Sequence, residues 1–132
     1  MASPTLDGLD HLVLTVADMA KTIAFYTRVL GCTEVSYGAG RKALRFGEQK
    51  INLHPHGGGV ANLVAAQPTP GSADLCFVTT TPVGEWVRHL ERHGVPLEAA
   101  PSERVGAIGT LLSIYIRDPD RNLIEISNRL PG

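Results

Sequence analysis

The chain is built on one pattern used twice, and this repeat constrains its fold more than any other feature. The run His11-Leu-Val-Leu-Thr-Val returns as Asp74-Leu-Cys-Phe-Val-Thr, 63 positions on. The Leu30-Gly31 that ends the first helical run answers to His93-Gly94, again 63 positions on. Ile51-Asn52-Leu53 answers to Ile124-Glu125-Ile126 at 73 positions, so the second half carries extra loop. Each unit opens and closes on a strand with a polar residue at the matched position. Those four positions hold His11, Asn52, Asp74 and Glu125. One imidazole and two carboxylates among four convergent positions is a metal-site composition.

Each unit reads as βαβββ. Leu9 to Val16 is rich in aliphatic and β-branched residues and predicts a strand. Its alternation sets His11, Val13 and Thr15 on one face and Leu12, Leu14 and Val16 on the other. Asp18 is placed to cap a helix over 19–30, whose apolar residues Met19, Ile23, Tyr26 and Leu30 recur at helical spacing, and Gly31 ends it. Glu34–Tyr37, Lys42–Phe46 and Lys50–His54 follow as three antiparallel strands. In the second half, Ala73–Thr79 predicts a strand. Thr81-Pro82 starts a helix with proline at its first position, and Val83, Trp86, Val87 and Leu90 form its apolar stripe. Val95–Ala99, Leu111–Ile116 and Leu123–Ser127 supply the remaining strands. Pro101 to Gly109 is expected to be the extra loop, and Asp118-Pro119-Asp120-Arg121-Asn122 a tight turn.

One helix for about four strands covers only one face of a sheet, which predicts an α+β fold. Two tandem βαβββ modules form a curved mixed sheet around a metal-containing cavity, with the helices on the outer face. The polar strand positions His11, Thr15, Asn52, His54, Asp74, Ser113, Tyr115, Glu125 and Ser127 belong to the inner face. Residues 1–132 form a single domain: module one at about 7–56, a Pro- and Gly-rich linker at 57–71 with Gly57-Gly58-Gly59, and module two at about 72–129.

A chain of 132 residues with 43% hydrophobic residues can bury a core of its own. A formal net charge of −1 argues against nucleic acid or an anionic membrane as partner. No apolar run approaches the ~20 residues of a membrane span, and the N-terminus lacks the basic and apolar regions of a signal peptide. Cys32 and Cys76 lack ligand-type spacing. They read as reduced thiols of a cytoplasmic protein, with Cys76 inside an apolar strand.

Tandem βαβββ units with His at the first strand and Glu at the last resemble the vicinal oxygen chelate superfamily. That group includes glyoxalase I, methylmalonyl-CoA epimerase, extradiol dioxygenases, fosfomycin-resistance enzymes and bleomycin-binding proteins. The segments Leu9 to Val16, Phe25-Tyr26 with Leu30-Gly31, Arg41 to Leu44, Gln49 to His54, Pro70 to Cys76 and Ser113 to Glu125 are similar to one subgroup. It comprises bacterial glyoxalase-like proteins, some labelled virulence proteins, and the animal glyoxalase domain-containing protein five. The resemblance covers nearly the whole chain; it implies the fold strongly and the reaction weakly.

The resemblance implies metal ligands at His11 and Glu125. Where many members have a second histidine this chain has Asp74, and where they have Glu or Gln it has Asn52. His54 lies two residues on, on the same face. Asparagine is a poor ligand for borderline metals, so His54 competes with Asn52 for the fourth position or acts as a proton shuttle. Each residue also has an ordinary reading. His11 can be a strand-edge histidine, Glu125 can pair with an arginine, and Asp74 can cap its strand. His89 and His93 stand four apart on a helix expected to be outermost, and read as solvated. Arg41, Lys42, Arg45 and Arg104 form a basic edge from which Arg45 and Arg104 are the candidates to meet substrate, with Asn52, Ser113 and Tyr115.

Such a site takes a divalent cation (Mn²⁺, Ni²⁺, Fe²⁺ or Zn²⁺) and leaves positions for two adjacent oxygens of a small molecule. The expected function is a glyoxalase-like lyase or isomerase, with Glu125 as base and Asp74 as the runner-up. An extradiol dioxygenase is the rival enzyme, although Asp74 stands where its second histidine belongs unless His54 supplies it. A non-catalytic drug-binding protein of the same fold is the rival of another class, and glutathione transfer to an antibiotic a minor one. The resemblance implies a homodimer, with modules paired within a chain or exchanged between chains.

Overall fold

The computed structural model describes residues 3–58 and 63–132. Met1, Ala2, Gly59 of the glycine run and the next three linker positions lie outside the described residues. The order of elements is β1 (His11–Val16), α1 (Met19–Arg28), β2 (Thr33–Tyr37), β3 (Arg41–Phe46), β4 (Gln49–Pro55), β5 (Asp74–Val78), α2 (Val83–Arg92), β6 (Ser102–Val105), β7 (Thr110–Arg117) and β8 (Leu123–Arg129). No helix among the described residues is long and apolar enough to cross a membrane.

The strands form two mixed four-stranded sheets, ordered β1-β4-β3-β2 and β5-β8-β7-β6. In each, the first strand pairs parallel with the last and the remaining pairs are antiparallel. The α+β class and the repeat are thus as expected, but the sheets are separate rather than one curved sheet. The period of two explains their placement. Leu14, Val16, Leu44, Ile51 and Leu53 of the first sheet and Ile114, Ile116, Ile124 and Ile126 of the second all enter one buried cluster. Tyr26 and Val29 from around α1, and Val83 and Leu90 from α2, complete it. Burying each such side chain is worth roughly 1.5–3 kcal/mol. Both apolar faces therefore turn into a common core that also takes the helices, and both polar faces are left on its outside.

Three local expectations need correcting. Val95–Ala99 is not a strand, since Pro96 cannot donate to a ladder. The fourth strand of the second half is Ser102–Val105, inside the stretch expected to be loop, where it pairs with β7. Pro82 stands just outside α2 as its N-cap, and the cap oxygen comes from afar: Val83 N donates to Asn128 Oδ1 at 2.8 Å. His89 is half-buried rather than solvated, with Nε2 2.8 Å from the Val29 carbonyl oxygen, bridging the two halves. Asp18 caps α1 as expected, accepting from Lys21 N at 3.0 Å.

A second bridge lies in the turn between β7 and β8. Tyr26 of α1 donates its hydroxyl to Asp118 Oδ2 at 2.7 Å, and both residues are buried. Ala17 N, at the end of β1, donates to the Asp120 carboxylate at 3.3 Å. The residue that leads into β5 docks on the same turn: Ala73 N donates to Asn122 Oδ1 at 2.9 Å. Gly71 has φ +81°, and a Cβ there would stand 2.7 Å from the Asp120 carbonyl oxygen. Tyr26→Phe removes a donor from a buried carboxylate and should cost about 1–3 kcal/mol in urea unfolding. Gly71→Ala, through strain and that close approach, should cost a similar ~1–3 kcal/mol. Unchanged urea midpoints would contradict these roles.

Candidate functional site

The polar face of the second sheet carries a connected set of side chains. Cys76 stands beside Glu125 in the parallel β5–β8 register, and Tyr115 beside Glu125 on the other flank. One step along, Ser127 lies between Val78 and Ser113. Ser113 and Ser127 are fully buried. Ser113 donates to Glu125 Oε2 at 2.6 Å. A hydroxyl has one hydrogen, so in the 2.6 Å contact between the two serines Ser127 is the donor. Ser127 also stands 3.3 Å from Glu125 Oε2, and Cys76 Sγ lies 3.5 Å from Ser127 Oγ. A thiol, two hydroxyls and a carboxylate form a continuous chain.

Electrostatics follow from this packing. Burial first, and then the Glu125 carboxylate, push the Tyr115 hydroxyl up, against an opposing pull from Arg104. The Arg104 guanidinium lies 5.3 Å from the Tyr115 ring centre. Burial pushes the Cys76 thiol up, the Ser127 contact opposes this, and Glu125 adds to it. Both groups keep their protons near neutrality.

The first sheet presents the other expected residues. His11 is exposed on the edge strand β1, with Nδ1 2.8 Å from Asp10 Oδ1. Asn52 is buried, and its Oδ1 has no hydrogen-bond partner among the described residues. The Lys50 amine on the same face lies 3.9 Å from the centre of the Tyr37 ring. His54, half-buried and opposite Thr15, lines a cavity of about 220 Å³ that is closed by Val64 and Pro68 of the linker and by Ala73 beyond it. Arg45 is exposed, and Lys42 is taken up by Glu34 at 3.1 Å.

The chain thus brings Glu125, Ser113 and Tyr115 together with Arg104 nearby. It keeps His11, Asn52 and His54 on a different sheet. Asp74 is exposed at the start of β5, on the face of Cys76 and Glu125. Among the described residues no three His, Cys, Asp or Glu side chains lie together as a metal ion would require. The partners of Glu125 are serines, not an arginine. Cys76 is the residue that sequence reasoning missed: it is exposed on the polar face, not enclosed in an apolar strand. The signal was present, because Asp74, Cys76 and Val78 alternate with Leu75 and Phe77.

The two thiols differ accordingly. Cys32 is buried and pushed up to about 11 by burial. At pH 8 iodoacetamide should label Cys76 well ahead of Cys32, as followed by peptide mapping. Equal labelling of Cys32 would contradict this geometry.

Residues 8–126 match the family described as the Glyoxalase/Bleomycin resistance protein/Dioxygenase superfamily. Over 122 residues the chain is 53% identical to virulence protein STM3117 of Salmonella typhimurium, covering 92% of this chain and 84% of that protein. It is 54% identical over 121 residues to the glyoxalase domain-containing protein RDO1 of Mycosarcoma maydis, covering 92% and 68%. The crystal structure of STM3117 superposes with a TM-score of 0.93 over 96% of this chain and all of that one, at 51% identity. The fold alone is shared with lactoylglutathione lyase from Agrobacterium tumefaciens, at a TM-score of 0.74, 23% identity and coverage of 95% and 96%. It is also shared with the fosfomycin resistance protein FosX from Listeria monocytogenes, complexed with Mn(II) and sulfate, at 0.66, 22% identity and coverage of 96% and 93%.

Proposed function

The chain belongs to the glyoxalase/bleomycin resistance protein/dioxygenase superfamily, and on that premise we propose that it is a glyoxalase-like lyase or isomerase that moves a proton on a small substrate with two adjacent oxygens. The observation that carries this reading is the fixed Glu125 carboxylate. Ser113, fully buried, donates to one of its oxygens and is itself held by Ser127, also fully buried. Tyr115 and Cys76 flank the carboxylate on the neighbouring strands, and it is available to take a proton. A positioned base of this kind is worth on the order of 10²–10⁴ in rate.

The donor types suit a divalent cation: imidazoles at His11 and His54, carboxylates at Asp74 and Glu125. Within one chain they are divided between two sheets, so the set does not converge there. The reading therefore includes a homodimer in which the first-sheet face of one copy lies over the second-sheet face of the other. Two features support it. The outer edges of β1 and β5 carry no partner strand among the described residues, and Val13 and Val78 beside those edges are 45% and 52% exposed. When bound, the metal supplies Lewis acidity toward the two substrate oxygens. The chain's own part is the rest. Glu125 takes the proton on carbon and returns it to the neighbouring carbon, and Tyr115 and Arg104 hold the oxygenated end. Asn52 offers an unpaired carbonyl oxygen to a substrate hydroxyl.

Calorimetric titration with Mn²⁺, Ni²⁺ and Zn²⁺ should show binding that the His11→Ala, Glu125→Gln double variant loses. Sedimentation should give a dimer. If His54 completes the ligand set, His54→Ala should weaken metal binding by roughly 1–2 kcal/mol and Asn52→Ala should do little; the reverse ranking would assign Asn52 instead. Glu125→Gln should lower turnover by about 10²–10⁴ with substrate affinity nearly kept, since a base acts in the transition state. Catechol-dependent oxygen uptake lost in His11→Ala would replace this reading with a dioxygenase. Saturable ligand binding without turnover under every metal would replace it with a binding protein.

A further inference from the structure

A cavity of about 500 Å³ opens between the two helices, away from both polar sheet faces. Its sides are the end of α1 with residues 29–31 that follow it, and one face of α2. Helical spacing brings Glu85, Arg88 and Arg92 to that face, and Arg28 joins them from the last turn of α1. Three guanidiniums therefore line the cavity with a single carboxylate, in a chain whose formal net charge is −1. All three arginines are exposed, and none has an ion-pair partner among the described residues. Arginine near a helix C-terminus often serves the last carbonyls. Here those of Phe25, Tyr26 and Val29 already have donors: the N–H groups of Val29 and Leu30, of Cys32, and His89 Nε2. The rest of the wall is aromatic and fixed. Trp86 stands edge-to-face on His89 with ring centres 5.4 Å apart, and the bond from His89 to the Val29 carbonyl oxygen locks that ring in place. Leu30 supplies the apolar side.

We propose that this interhelical cavity binds a small aromatic dianion, whose charged group meets Arg28, Arg88 and Arg92 and whose ring lies along Trp86 and Leu30. Guanidinium forks match phosphate and carboxylate oxygens two at a time, and such bonds are about twice as strong as neutral ones. Three positive charges against Glu85 leave an excess of two, which a doubly charged ligand neutralises. The cavity volume falls within the roughly 300–1,000 Å³ of small-molecule sites. A bare anion would leave the aromatic wall wet, and a neutral ring would leave the arginines unmatched. A phosphate monoester and a dicarboxylate share the required chemistry. The site is independent of the Glu125 reading, since the cavity and the carboxylate have no lining residue in common.

The probes are phenyl phosphate and phthalate, one for each source of the charge. Calorimetry and the indole N–H resonance of Trp86, the only tryptophan of the chain, should both report saturation at one ligand per chain. The tighter probe identifies the anionic group. Phenol and inorganic phosphate should each bind at least about 10-fold more weakly than phenyl phosphate, since each lacks one half of the contact. The Arg88→Gln, Arg92→Gln double variant should lose about 10- to 100-fold in affinity for the better probe, on the scale of lost charged hydrogen bonds. Both positions are exposed, and an unchanged urea midpoint should confirm that the variant keeps its fold. Glu125→Gln should bind the probe as wild type does. A Trp86 resonance that neither probe moves would overturn the proposal, as would equal affinity in the arginine double variant. Binding lost in Glu125→Gln would place the ligand on the sheet face instead and overturn it too. A Trp86 resonance that shifts with protein concentration alone would replace the small molecule with a second copy of the chain.

Discussion

The carboxylate of Asp118 holds the two halves in one arrangement. It accepts from Tyr26 Oη and Asn122 Nδ2 through Oδ2, and from the backbone N–H groups of Asp120 and Asn122 through Oδ1. Four donors meet the four lone-pair sites of a carboxylate, which is the condition for burying one at 5% exposure. Tyr26 has no exposure, and burial first and Asp118 next raise its hydroxyl far above the usual tyrosine range, so it always carries the proton it donates. This single turn takes a donor from α1, orders the chain three residues before Glu125, and receives the lead-in to β5 through Asn122. The position of β8, the strand that carries Glu125, is therefore set by a contact with the other half of the molecule.

The consequence for function runs through the common core. Because both apolar faces pack into it, along with the helices, neither polar face is covered by its counterpart in the same chain. The second sheet presents the Glu125 carboxylate with its serine donors already spent. The first presents imidazoles and a bare amide oxygen. A buried acceptor without a partner costs about 1–3 kcal/mol, and Asn52 Oδ1 is such an acceptor.

Much of this was legible in the sequence, and the failures have physical causes. The repeat, the caps at Asp18 and Gly31, and the face of every strand except the fourth of the second half follow from period and turn chemistry. Val95–Ala99 has strand-like composition, but Pro96 breaks the ladder. Only an isolated bond from Glu98 N to the Tyr115 carbonyl oxygen survives there. Ser102–Val105 carries three polar or charged residues in four and is a strand only because β7 offers it an edge. His89 looked solvated because helical spacing does not reveal that the end of α1 arrives beside α2. Cys76 was misread by weighing its apolar neighbours above its alternation with Asp74. The convergence of four ligands was inferred from symmetry, and symmetry relates the halves without saying which faces meet.

Exposed Val13 and Val78 bear on that last point. Each sits beside the open edge of its sheet, on β1 and β5, and open edges flanked by valine invite strand addition. In an isolated chain this is a liability with no return. With a second copy laid across it, the same edges would be covered, and the half-buried histidine, the bare amide and the serine-held carboxylate would share one enclosure. Water exclusion from that enclosure would strengthen the Glu125 interactions, since charge–charge and hydrogen-bond terms grow as the local dielectric falls. The exposed valines, the divided donor set and the unpartnered Asn52 oxygen are three separate features of one chain, and the single face-to-face assembly proposed above would account for all of them.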